Sequence, residues 1–538
     1  MRKGICILMA AVICLCSGCS KEEPITGDFQ VTTKQKEEKA EEKTVLTLSM
    51  RVPETLNPLL NRDETVDMAL KPIYMPFLGI AENGKPEKAV AESWIPSEDG
   101  KSLSVQLSED LVWQDGTPVT ASDVAFSFRT ILGAEEDSVY KKVTDYVASC
   151  TATGANSVQV TFRSSFTGNM AALNFPVISA RYYGGQHDPK GDVNMSPMGC
   201  GPYRMESYTV ASSLLLVPNE LYRGKKPSVP QINIRITSGA DTDIYSFSQG
   251  ILDVLVANAT DAGKYMTQNT GTEAHAFSSD LYDFIGFNFQ GSLFEDKNLR
   301  QAVAYLISKK YLWESVYLQY ADMTNTPVKP TSWLYEENVA PYNYDPEMAA
   351  TLVKNAGWID KDKDGIRERI LPNGREEKLQ IQILVNEENT ARKQIASKLA
   401  EELGKIGVFV TIDIQPYEAY TQKFQRGEFD LVVGGWKMPA TADLRMFFHT
   451  DGAYNYIGYS NEEMDTLLEA ACTAAGEGRT LLAYSNLQKK MAEELPYISI
   501  AYRQNVLLTS GSVGGEIAPL QSNVYQGIED WVLQKRKA

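Results

Sequence analysis

The chain has 538 residues, 43% of them hydrophobic and 22% charged, with a formal net charge of −17 at pH 7. That length suits about two to four domains with sizeable cores, and the acidic balance argues against nucleic acid as a partner, because phosphate binding needs a basic face. Its three histidines, His187, His275 and His449, lie far apart with no HExxH, GxSxG, Walker or GxGxxG motif, so no enzyme is expected.

At the N-terminus, Arg2 and Lys3 precede an apolar run over residues 5–15, followed by Ser17, Gly18 and Cys19. The run is well short of the ~20 residues needed to span a bilayer, so residues 1–18 read as a removable export signal. The small residues before Cys19 resemble the lipobox of bacterial lipoproteins, although Cys16 stands where its consensus favours leucine. That resemblance implies an acylated Cys19 as the mature N-terminus; an ordinary secreted protein is the alternative. Residues 19–43 are rich in Lys and Glu and nearly free of large apolar side chains, which predicts a disordered, solvated tether. Two acyl chains hold such a protein stably at a membrane.

Apolar alternation begins at Val45, Leu46 and Leu48. Thr120 followed by Asp123 predicts a capped helix with Val124, Phe128 and Ile131 on one face. Strand patterns dominate residues 140–240, as at 157–162 and 231–236. The body has only Cys150, Cys200 and Cys472, too few for a disulfide framework. Buried thiols are expected, with a Cys150–Cys200 bridge left open. Asp296 opens an amphipathic helix through Leu299, Val303, Leu306 and Ile307, and Asp345-Pro346 is a cap with proline at the first helical position.

Asp360-Lys361-Asp362-Lys363-Asp364-Gly365 imitates the first half of an EF-hand loop. Position 12, where calcium loops carry a bidentate acid, is Leu371, and Ile366 falls at position 7, so a tight solvated turn is expected.

The clearest pattern covers residues 378–436. Strands are predicted at 379–385, 408–414 and 429–433, and helices at 391–406 and 417–424, which makes a parallel α/β unit. Ligands meet such sheets at the carboxyl ends of the strands, and here the third strand ends in Gly434-Gly435-Trp436.

A series of short motifs runs along the body: Leu56-Asn57-Pro58-Leu59, Ala91-Glu92-Ser93-Trp94, Trp113-Gln114-Asp115-Gly116-Thr117-Pro118, Gly199-Cys200-Gly201-Pro202-Tyr203, Tyr344-Asp345-Pro346, Ala356-Gly357-Trp358 and Gly435-Trp436. In this order they resemble the peptide- and nickel-type extracellular solute-binding proteins of ABC importers, family 5. The resemblance implies an α/β, periplasmic-binding-protein-like (type II) fold, two-lobed with a hinge and an extra inserted domain. Domain I would take residues 44–77, 198–285 and 509–538, domain II 78–197, and domain III 286–508. It further implies a lipid-anchored receptor facing outside the cytoplasm, which captures a peptide-like solute between its lobes and delivers it to permease subunits with their ATPases. No cofactor and no resident metal are implied. The alternatives are nickel, a metal chelate or another non-peptide solute, or a membrane-anchored sensor of a peptide signal.

For the site, the resemblance implies a ligand lying between two main-chain segments, one at Asn61, Arg62, Asp63 and Glu64, the other at Gly435, Trp436 and Lys437. Trp436 would be a cleft wall, or else a core residue capping the sheet. Where peptide binders of the family carry an aspartate that pairs with the ligand amine, this chain has Pro439. The next acid, Asp443, is either that anchor or a helix cap. Tyr282 and Tyr502 match cleft-lining regions by rough alignment and are otherwise structural.

Overall fold

The computed structural model of the protein describes residues 43–184, 188–266, 271–291 and 293–534. The expected export signal, Cys19, residues 20–42 of the expected tether and His187 lie outside the described residues.

Alternation at the start of the body becomes a strand, Val45–Met50, which turns Leu46, Leu48 and Met50 inward. It runs parallel to Gln231–Ile236, which continues antiparallel into Ser213–Pro218 and then Tyr203–Thr209. A second, antiparallel sheet has the order Ala91–Pro96, Ser102–Leu107, Ser157–Phe162, Val147–Ala152. Helix Ala121–Gly133 lies beside it, capped as its sequence predicts. One Asp123 oxygen accepts from Thr120 N at 2.8 Å and from its hydroxyl at 3.0 Å, and the other accepts from Ala180 N at 2.7 Å. Both sheets contribute to one hydrophobic core, containing Leu46, Trp113, Phe128, Phe175 and Tyr203. The far end of the chain returns to it through Val513, Tyr525, Ile528 and Trp531.

The predicted α/β unit forms in a second region. Gln380–Asn386 lies between Phe409–Gln415 and Leu431–Lys437, parallel to both, with helices Thr390–Lys405 and Tyr417–Arg426 as the connections. The third strand is longer than its sequence suggests. It continues through Lys437 because Glu273–Phe287 runs antiparallel beside it and supplies ladder partners as far as Leu281.

Glu273–Phe287 also pairs antiparallel with Tyr497–Thr509. These two long strands cross from one core to the other. Phe277 and Leu507 belong to the first core, Ile285 and Ile498 to the second. Their register shifts between Ser278 and Tyr282, at the crossing.

Cys150, Cys200 and Cys472 are buried free thiols, with burial pushing Cys150 and Cys200 up to about 12. No described helix is long and apolar enough to cross a membrane.

Candidate functional site

Between residues 431 and 433 the strand Leu431–Lys437 is paired on both sides, with residues 383–385 and with residues 285–287. From Gly434 onward only the second partner remains. Among the described residues, the other edge of 434–437 has no strand against it, and such an edge offers backbone donors and acceptors to whatever lies alongside. The paired glycines have a steric cause. A Cβ at Gly434 would stand 2.8 Å from the Phe284 ring, and one at Gly435 would stand 2.0 Å from Arg392 Nη2 and 2.7 Å from the Tyr282 carbonyl oxygen.

Trp436 is half-buried, so it belongs wholly to neither core nor surface. Its ring centroid lies 5.2 Å from Phe447, 5.6 Å from Phe424, 5.7 Å from Tyr454 and 6.1 Å from Phe284, and its Nε1 donates to the Tyr497 hydroxyl at 3.3 Å. Tyr454 carries this aromatic wall to the surface, at 42% exposure. Tyr282 and Tyr502, expected at the cleft, instead lie in the core behind the wall with ring centroids 5.3 Å apart. Tyr282 shares a 2.6 Å hydrogen bond with the Ser499 hydroxyl, and Tyr502 donates to the Pro327 carbonyl. Strand alternation explains the displacement: Tyr282 and Tyr502 are register partners, packed on the face that forms the core.

Behind Gly435 is a charged cluster that reading the sequence missed. Asp283 is fully buried, and its carboxylate accepts from Arg392 Nε at 3.0 Å, Arg503 Nε at 2.6 Å, Arg503 Nη2 at 3.0 Å and the Tyr317 hydroxyl at 3.0 Å. Burial opposes its ionisation, but the Arg392 and Arg503 guanidiniums outweigh that and hold the carboxyl below its usual range. Two guanidiniums on one carboxylate leave an excess positive charge behind the open strand edge. The available signal was an acid within the otherwise apolar run Leu281–Phe287.

The segment expected to form the opposite wall is largely occupied with itself. Asn61 donates from Nδ2 to the Asp63 carbonyl at 2.7 Å and accepts from Asp63 N at 3.1 Å, while its carbonyl accepts from Val139 N at 3.0 Å. Asp63 caps helix Glu64–Leu70, accepting from Thr65 N at 2.7 Å and Val66 N at 3.1 Å. Arg62 pairs with Asp137 at 2.9 Å, and exposed Glu64 meets Lys437 at 3.0 Å. The structure therefore brings Glu64 to the Gly435–Trp436–Lys437 strand and leaves Asn61 and Asp63 as turn-forming residues.

Asp443 is engaged locally. It accepts from Arg445 N at 3.0 Å, and Arg445 Nε (3.1 Å) and Nη2 (2.8 Å) grip both its oxygens at the start of helix Arg445–Phe448. A ligand amine would have to compete with that guanidinium.

The model of the bacterial extracellular solute-binding proteins, family 5 middle region, matches residues 85–455. The chain belongs to this family. Family 5 proteins are extracytoplasmic solute-binding components of ABC importers. One similar family 5 protein is the oligopeptide-binding protein AppA of Bacillus subtilis, 24% identical over 90% of this chain and 91% of that protein. Another is the nickel-binding periplasmic protein of Escherichia coli, 21% identical over 87% of this chain and 91% of that protein. The solved structure of the substrate-binding protein CtaP of Listeria monocytogenes superposes with a TM-score of 0.74 at 21% identity, covering 91% of this chain and 99% of that one. The fold is that of the family 5 periplasmic binding proteins, with several domains of mixed helix and sheet.

Proposed function

We propose that this family 5 protein captures an extended, peptide-like solute against the open strand edge at residues 434–437. Tethered by an acylated Cys19, it delivers that solute to the permease of an ABC importer. The observation that carries the reading is the unpaired edge itself, flanked by the Trp436 aromatic wall. Backbone pairing suits a receptor indifferent to side chains, because every peptide offers the same amides. The rings supply flat apolar surface for whatever side chains the ligand carries. Since the amides of Asn61, Asp63 and Thr65 are already used within their own turn, the ligand's second wall is made by side chains such as Arg62 and Glu64. Domains with the boundaries expected from the resemblance would close over this edge by rotation at the crossing strands.

Native mass spectrometry of the purified protein, followed by denaturation to release any co-purified ligand, tests the reading. Released peptides support it. A released metal, haem or sugar overturns the peptide class while leaving family membership intact. A protein that emerges empty is titrated with peptides of graded length, and failure across that panel also overturns it.

A further inference from the structure

The loop between Trp358 and strand Glu368–Ile370 holds more than a solvated turn. Ile359 and Glu368 exchange backbone hydrogen bonds of 3.0 and 3.2 Å that close residues 360–367 into a loop. Inside it Gly365 N donates to Asp360 Oδ2 at 3.2 Å, Asp364 N to Asp362 Oδ1 at 3.1 Å, and Ile366 N to Asp364 Oδ1 at 2.8 Å. Gly365, at φ +90°, makes the turn that lets these bonds form. From outside the loop's own turn comes Glu368, only 1% exposed, whose Oε1 accepts from Lys361 N at 2.7 Å.

Two oxygens are left over. Glu368 Oε2 and Asp360 Oδ1 are buried and have no hydrogen-bond partner among the described residues. Oxygens of Asp360, Asp362 and Glu368 all lie within 4.8 Å of one another. A buried, unpaired carboxylate oxygen is strongly disfavoured, and among the described residues no nearby cation hydrogen-bonds either oxygen, although Arg367 attracts Asp360 without touching it. Arg367 donates to the Ile406 and Trp358 carbonyls at 2.7 and 3.1 Å. Arg369 pairs with Glu377 at 2.7 Å and lies over the Trp358 ring. Lys378 reaches the loop at Asp364, and stands 4.0 Å from Asp362.

We propose that Asp360, Asp362 and Glu368 bind a calcium ion. The donors are all oxygens, with no histidine or cysteine among them, which favours a hard cation over zinc, nickel or copper. Bonds of about 2.3–2.6 Å allow one calcium ion to touch all three carboxylates. The twelve-position template fails because the closing acid stands at position 9 of the loop, brought in by the strand that follows it. The bound ion fastens the Trp358 turn to the strand Glu368–Ile370 and, through Arg367, to the end of helix Thr390–Lys405.

The test is thermal unfolding of the purified full chain after EGTA treatment, with calcium or magnesium restored at about 1–10 mM, a range that saturates extracellular sites of this kind. Calcium is expected to raise the melting temperature of the wild type by a few degrees, and magnesium by less. Glu368→Gln removes the orphaned charge, so its melting temperature in EGTA equals or exceeds that of the wild type, and calcium does not move it. Asp362→Asn, at an exposed position, keeps the wild-type melting temperature in EGTA and gives a blunted calcium response; it decides the matter if Glu368→Gln does not fold. Terbium emission sensitised through Trp358, two residues from Asp360, is expected in the wild type and lost in Asp362→Asn. The proposal is overturned if calcium moves nothing and terbium stays dark, or if all three proteins respond alike. An equal response to magnesium overturns the assignment to calcium.

Discussion

Lys437 Nζ stands 3.0 Å from Glu64 Oε1, so the strand that carries Trp436 meets the first turn of a helix rooted in the other core. Val66 and Leu70 hold that helix to the first core, while Leu431 and Val433 hold the strand to the second. The pair therefore links elements of the two cores beside the open strand edge. Both side chains are largely exposed, so it contributes ~1 kcal/mol at most. Lys437→Glu is expected to weaken ligand binding several-fold at low salt by placing two carboxylates across the gap. Adding Glu64→Lys restores the affinity, and calorimetric titration at low and high salt reads both effects.

Asp283→Asn should cost about 3–5 kcal/mol, because it leaves the Arg392 and Arg503 guanidiniums buried without their shared charge. The pH dependence follows from the lowered carboxyl. Its stabilisation is complete above the unfolded value near 3.9 and is lost as pH falls through the lower folded value. Urea unfolding of both proteins should show a constant gap above about pH 4, closing only below it.

Gly435→Ala pushes a methyl group against Arg392 Nη2 and the Tyr282 carbonyl oxygen. The guanidinium can swing away at the expense of its bond to Asp283, but the carbonyl belongs to the paired strand. A loss of about 1–3 kcal/mol is expected. Arg392→Ala in the same chain should recover only part of it, as read by denaturation midpoints.

Lys309 lines a small cavity beside Ile307, Tyr342 and Ser499, and its ammonium donates to the Thr324 carbonyl and Asn325 Oδ1. Burial pulls its pKa down to about 7. Between that value and the unfolded one near 10.4 the unfolded chain binds the extra proton, so this residue's penalty is full below pH 7 and fades as pH rises. Lys309→Met should therefore gain most over the wild type at pH 6–7, on the order of a few kcal/mol less the two lost hydrogen bonds. That advantage should shrink by pH 10.

Periodicity made the α/β unit legible, since Gln380–Asn386 and Thr390–Lys405 each bury an apolar face whose spacing is printed in the chain, and alternation in Phe409–Gln415 turns half-buried Val410 and Ile412 toward the same core. Local chemistry revealed the Thr120 and Asp345 caps for the same reason: donor and acceptor lie within four residues. The site was less legible because its parts meet across long separations. Asp283, Arg392 and Arg503 come from three elements, and no local pattern announces that they share one carboxylate. Asn61 and Asp63 show the converse. Their position in a motif suggested a binding wall, but short polar side chains beside their own amides satisfied them first. Glu368 was hidden by a template that looked for its acid at the wrong position.

Trp531, Ile528 and Tyr525 share a core with Leu46 and Leu48, which bears on how the protein is made. A ribosome or export channel releases the first strand long before it releases the tryptophan that seals it. Until then the first core lacks its final wall, and the nascent chain carries apolar surface that no local contact can cover. Native assembly of that core therefore follows release of the whole chain, and truncation near residue 510 is expected to expose the oldest part of the chain rather than merely shorten the youngest.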